Sequence, residues 1–278
     1  MKRLFSQGII LIFFIGTFAA SHAQQNESNF SNLQSKKEQF RLGLGISVMN
    51  LDYKETLPPP YKSTESGFLP GISGFLRRDF TGGWAIEGRG SFHFGDEDYD
   101  GTTMEGVPLA SKTNSKFFEL AGFGAHKFSL DAAADFEIRA GLALKFWRRA
   151  LDEEYVEDYT RIAIPIESQF SFLVGEKNTL KIYAAADIMI GGRMDLDIYG
   201  ATTDVTLGDE VGIRIGGAFE APLTNKLSLI FNSYYEHFSF GESNSSVLYF
   251  QGTYQSIYEP ASKTNNFFFG VGVSIDLN

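Results

Sequence analysis

From residue 40 onward, apolar residues alternate one for one with small, polar or charged residues. In 84–95, Trp84, Ile86, Gly88, Gly90, Phe92 and Phe94 fall on one parity, and Ala85, Glu87, Arg89, Ser91 and His93 on the other. In 135–149, Phe136, Ile138, Ala140, Leu142, Leu144 and Phe146 oppose Glu137, Arg139, Gly141, Ala143 and Lys145. In 265–278, Phe267, Phe269, Val271, Val273, Ile275 and Leu277 oppose Phe268, Gly270, Gly272, Ser274 and Asp276. A strand sends successive side chains to opposite faces, so each such stretch has one apolar face. The pattern predicts strands over 40–53, 67–80, 84–95, 116–130, 135–149, 159–174, 180–194, 209–221, 226–240 and 265–278. Pro70 is a ladder defect in the second of these.

The connections alternate in length. Polar loops are predicted at 54–66, 96–115, 150–158, 195–208 and 241–264. Tight turns are predicted at 79–83, 131–134, 175–179 and 222–225. No segment reads as a helix that could cover the apolar faces, which makes lipid their neighbour. In lipid every backbone group must be satisfied within the protein, so such a sheet has to close. An all-β antiparallel transmembrane β-barrel follows, of ten strands, with eight as the alternative. Even strand number, short turns at one end and longer loops at the other suit an outer-membrane barrel with both termini periplasmic. A soluble sandwich would show a polar outer face instead.

Composition narrows the partners. Residues 1–23 read as a secretory signal: Lys2 and Arg3, an apolar run at 8–20, then Ser21-His22-Ala23 before a polar stretch. Residues 24–39 read as a flexible periplasmic lead and 40–278 as the barrel. Losing Lys2 and Arg3 from the 24 basic residues leaves 22 against 34 acidic ones, net −12, which argues against nucleic acid. The chain has no Cys, so it has no disulfide or thiolate metal site.

The inward parities collect Arg41, Arg77, Glu87, Arg89, Glu119, Glu137, Arg139, Lys145, Arg161, Glu167, Lys181, Asp187, Arg193, Arg214, Glu220 and Glu236. Charges of both signs in a narrow lumen predict Arg–carboxylate pairs bridging strands, and a lumen nearly filled by side chains. Trp84, Trp147, Tyr159, Tyr235 and Phe240, at strand ends, suit interfacial girdles. Asp96, Asp98 and Asp100 begin an Asp-x-Asp-x-Asp-Gly pattern, but position twelve is Val107 where a Glu is needed. The expectation is therefore no metal and no cofactor, with the acidic stretch a solvated loop.

With its signal segment, alternating strands and amphipathic final strand, the chain resembles the outer-membrane β-barrel superfamily, in particular small porin-family or OmpA-like barrel-domain proteins. It departs from them in ending on Leu277-Asn278 without a terminal aromatic. The resemblance implies a monomer in contact with outer-membrane lipid and lipopolysaccharide. It also implies recognition of the last strand by the barrel-assembly machinery. Function is expected to be structural, or surface interaction through the external loops, without catalysis. A narrow pore for ions or small solutes is the alternative. A rim-active hydrolase, omptin-like or lipid A-modifying, is third. His93 near Asp96, and Glu236-His237, would be its candidates, with rim packing or solvent exposure as their ordinary reading.

Overall fold

The computed structural model describes residues 38–103 and 106–277. The signal segment expected at 1–23 and all but the last two residues of the lead lie outside the described residues. Thirteen strands follow one another: β1 Gln39–Glu55, β2 Ser63–Asp79, β3 Trp84–Thr102, β4 Pro108–Ser129, β5 Ala134–Ala150, β6 Tyr155–Val174, β7 Asn178–Ile198, β8 Ala201–Thr206, β9 Val211–Pro222, β10 Leu227–Phe240, β11 Ser246–Phe250, β12 Thr253–Ile257 and β13 Ser262–Asp276. Ten of them form a closed antiparallel barrel in the order β1-β2-β3-β4-β5-β6-β7-β9-β10-β13. β13 returns to pair with β1 from Arg41↔Asp276 to Glu55↔Ser262. β8 folds back on the end of β7, and β11 with β12 makes a separate hairpin between β10 and β13.

The side chains on the outer face are apolar and in the open. Leu44, Ile46, Phe68, Ile72, Ile86, Leu120, Leu142, Ile182, Ile215 and Phe267 are all exposed, which in a soluble sheet would be a severe liability and in lipid is the required surface. The short connections after β2, β4, β6 and β9 lie together at one end, here the turn end, beside both ends of the described chain. The opposite end is the loop end. Pro70 interrupts the β2–β3 ladder, which stops between Ser66↔Asp98 and Gly71↔His93 and resumes in the same register.

Much of what the sequence marks as long loops is strand. β3 and β4 have 19 and 22 residues, and only the segment 103–107 joins them. A tilted strand needs about 9–11 residues to cross hydrocarbon. On β3 the apolar outer residues stop at Phe94, and Asp96, Asp98 and Asp100 then continue the outer face. The apolar–polar alternation ends there because both faces carry polar residues. The ladder nevertheless persists, so the barrel wall projects well beyond the apolar band.

Candidate functional site

The lumen is the candidate site, and β5 reads out its layers. From the turn end its inward residues are Glu137, Arg139, Gly141, Ala143, Lys145, Trp147 and Arg149. All are buried except half-buried Gly141.

At the turn end is an open vestibule of about 1600 Å³. One wall, from β2 to β6, carries a charge ladder. Arg77 bonds Glu137 at 2.8 Å and Glu87 at 3.1 Å, and Arg89 bonds Glu167 at 2.9 Å. Arg139 bonds Glu167 at 2.6 Å, as well as Glu137. On the opposite wall Arg41 reaches Glu220 and Asp276, both at 3.0 Å, and Lys181 reaches Glu220 at 2.9 Å. Where β1 meets β13, that wall is made of small residues. Gly45 faces Gly272 across the β1–β13 ladder, and a Cβ on Gly272 would fall 2.6 Å from the Leu44 carbonyl oxygen. The small seam leaves the vestibule hollow, where the ten-strand count and the inward charges predict a nearly filled lumen.

Next comes an ionic layer at the level of Lys145. Its ammonium meets Asp187 at 2.5 Å and Glu236 at 3.1 Å. Arg214 shares Glu236 at 3.0 Å, with Glu119 at 3.4 Å. Arg161 pairs Glu210 at 3.0 Å and lies over the Phe238 ring. Removing one partner from such a buried set strands the other charge, which fixes the layer in place.

Above it the lumen is solid. Trp147 stacks on Phe117 and on Tyr159, both with centroids 5.0 Å apart, and meets Tyr53 edge-on at 5.1 Å. Tyr159 continues to Phe240. Met49, Leu51, Leu69, Met194, Val205 and Leu248 complete the layer, all at 2% exposure or less. Residues from β1, β2, β5, β6, β7, β10 and the β11 hairpin thus meet across the barrel.

Beyond this seal, near the loop end, five glutamates surround Arg149. Arg149 bonds Glu65 at 2.7 Å and Glu157 at 2.6 Å, with Glu55 at 3.5 Å. The Tyr159 hydroxyl lies 2.9 Å from both Glu157 and Glu259, and the Tyr53 hydroxyl 3.2 Å from both Glu259 and Glu55. Burial, then the Glu157 and Glu55 charges, push the Glu259 carboxyl well above the ordinary range. Glu97 is fully buried against Glu65, and burial together with the neighbouring Glu65 carboxylate pushes it up to about 9.

The placement of the sequence candidates divides cleanly. Arg41, Arg77, Glu87, Arg89, Glu119, Glu137, Arg139, Lys145, Arg161, Glu167, Lys181, Asp187, Arg214, Glu220 and Glu236 line the lumen in the pairs described. Arg193 does not. An extra residue in β7, Ile190, makes a bulge where Ile162 pairs Gly191 and Ala163 pairs Met189, which flips the parity beyond it. Arg193 therefore lies outside with Asp195 and Asp204. Trp84 and Tyr235 are on the outer surface, but Trp147, Tyr159 and Phe240 are core residues of the seal and not girdle residues. Asp96, Asp98 and Asp100 point outward, where Asn114, Lys112 and Lys62 take them one each. No group of His, Asp or Glu arranged for a metal occurs among the described residues. His93 is neither at the rim nor exposed: it is 2% exposed inside the lumen, 2.9 Å from the Ser47 hydroxyl. His237 is on the outer face, 2.8 Å from Asn265. Arg149 and its glutamates went unmarked, although Arg149 shares the parity of Arg139 and Lys145.

No protein-family model matches the chain, and no curated protein matches it in sequence. Among solved structures, the outer membrane protease OmpT from Escherichia coli superposes with a TM-score of 0.64 at 11% identity, covering 88% of this chain and 100% of that one. The outer membrane protein OprG from Pseudomonas aeruginosa gives 0.40 at 9% identity, covering 87% and 97%. Neisserial surface protein A gives 0.32 at 9%, covering 86% and 99%. The likeness to OmpT is one of fold, a closed ten-stranded antiparallel β-barrel, which this chain carries with an apolar outer belt.

Proposed function

We propose that the protein is a non-conducting, monomeric outer-membrane barrel that acts at the cell surface through its projecting loop end, with the turn end in the periplasm. The observation that carries this reading is the packed layer of Tyr53, Phe117, Trp147, Tyr159 and Phe240 across the lumen. Close packing of that kind leaves no path for a hydrated ion. Above the seal, the β3–β4 wall and the β11–β12 hairpin supply a surface for partners, and Tyr249 and Tyr254 on the hairpin are well exposed. β13, amphipathic along its whole length, is the segment offered to the assembly machinery.

Recording in planar bilayers tests the seal. The wild-type protein gives no unitary conductance, and Trp147→Ala combined with Tyr159→Ala gives small steps. Reproducible wild-type steps would replace this reading with that of a narrow pore.

OmpT is a protease, and the likeness to it supports a second reading, hydrolysis at the loop end. The histidines argue against it. His93 lies within the lumen, and His237 holds an amide oxygen where a general base would be oriented by a carboxylate. Peptide cleavage that disappears in His237→Ala would favour this second reading.

A further inference from the structure

The outer face at the seam carries two like charges with no counterion. Lys54 of β1 and Lys263 of β13 stand directly opposite each other, both exposed. Neither has an ion pair or hydrogen bond among the described residues. Lys62 and Lys112 on the same end of the barrel, by contrast, take Asp100 and Asp98. Like charges directly across a ladder are destabilising, so the arrangement gains from an anion placed between them.

What lies below the pair defines the anion. On the same face, one step toward the turn end, Asn265 faces His237 and Asp52. The Asn265 amide oxygen is already occupied, by the Tyr235 hydroxyl at 2.7 Å and His237 Nδ1 at 2.8 Å, which leaves its NH₂ group to donate elsewhere. One step further the surface becomes apolar, with Phe267 and Phe269 on β13 and Ile213 and Ile215 on β9, all exposed. Four residues separate Lys263 from Phe267, about 13 Å along the strand, less along the tilted barrel axis. A lysine side chain reaching back covers much of that height. The ammonium groups therefore fall at the level of lipid headgroups, directly above acyl-chain surface.

We propose that Lys54 and Lys263, with the Asn265 amide beneath them, bind the phosphate of an anionic lipid whose acyl chains lie on Phe267 and Phe269. The site rests on the barrel fold and is independent of whether the lumen conducts. Asp52, exposed on the same face two residues from Lys54, opposes the ligand.

Native mass spectrometry of the full chain in detergent tests the site, with dioleoylphosphatidylglycerol, dioleoylphosphatidylcholine and inorganic phosphate as probes. The wild-type protein should prefer phosphatidylglycerol to phosphatidylcholine. Replacing both lysines (Lys54→Gln with Lys263→Gln) should weaken phosphatidylglycerol about tenfold or more. The control pair Lys62→Gln with Lys112→Gln makes the same change in net charge at lysines that already have partners, and should lose less than about twofold. Asp52→Asn should tighten binding. Heat-modifiable electrophoretic mobility confirms that each barrel is closed, and single lysine variants replace any double variant that fails this check. Equal losses in the test and control pairs, no preference for phosphatidylglycerol, or displacement of the lipid by millimolar inorganic phosphate would each overturn the proposal.

Discussion

Glu97 shows what one side chain can cost. It stands beyond the apolar band, fully buried and beside Glu65. Its folded carboxyl titrates at about 9 against 4.5 for an ordinary glutamate. Below about pH 4.5 both folded and unfolded chains hold the proton, so Glu97 has no effect on stability. Between about 4.5 and 9 only the folded chain holds it, so stability falls as pH rises through that window. Glu97→Gln removes the proton balance while keeping the shape. The variant should match the wild type at pH 5 and exceed it by about 1–3 kcal/mol at pH 9, as rearrangement around Glu65 and Arg149 absorbs part of the full shift. Urea unfolding in lipid vesicles at the two pH values measures this. A constant gap at both would show that Glu97 is ionised in the folded state.

At the scale of elements, β7 is governed by one residue. Up to Ile188 its even residues face outward. After the bulge at Ile190 they face inward, which brings Met194, Leu196 and Ile198 into the seal. Deleting Ile190 would leave a regular ladder, with Gly191 opposite Ile162 and Met194, Leu196 and Ile198 still inward. The deletion should therefore keep heat-modifiable mobility, while inserting one residue between Met194 and Asp195, which turns Leu196 and Ile198 outward, should abolish it. Loss of the mobility on deleting Ile190 would mean that the bulge itself is needed for closure. The same bulge explains where sequence reading ends. Strict alternation in β3, β5 and β13 was legible, and so were the tight turns, because each strand has an apolar side against lipid. A bulge adds a single residue and has no signature in the pattern. The strand extensions were not legible because Asp96, Asp98 and Asp100 replace the apolar outer face. Trp147 and Tyr159 were misassigned by residue type, although their parity with Lys145 and Arg161 already pointed inward. The vestibule depends on Gly45 and Gly272 meeting across the seam, a contact between residues far apart in the chain.

For the whole molecule, the absence of cysteine makes the orientation testable with single labels. Gly252, at the tip of the β11–β12 hairpin, and Gly175, in the β6–β7 turn, lie at opposite ends. Both have positive φ and nothing within 4 Å of an added Cβ. Gly252→Cys should react with a membrane-impermeant maleimide on intact cells, and Gly175→Cys only after the outer membrane is permeabilised. The reverse pattern would invert the barrel. Substitution at a positive φ carries some strain, but both sites are at exposed turns.

The seam has a further consequence, for the order of events in assembly. β13 bonds on one side to β1 and on the other to β10, and Arg41 reaches Asp276 across 235 positions of sequence. Every other barrel strand pairs at least once with a neighbour close in sequence, so those hairpins can form as the chain becomes available. The ring cannot close until β13 arrives, and until then β1 and β10 present two unpaired edges. Closure is therefore the entropically demanding step, and until it happens those two edges are where the chain is open to pairing with a strand from elsewhere.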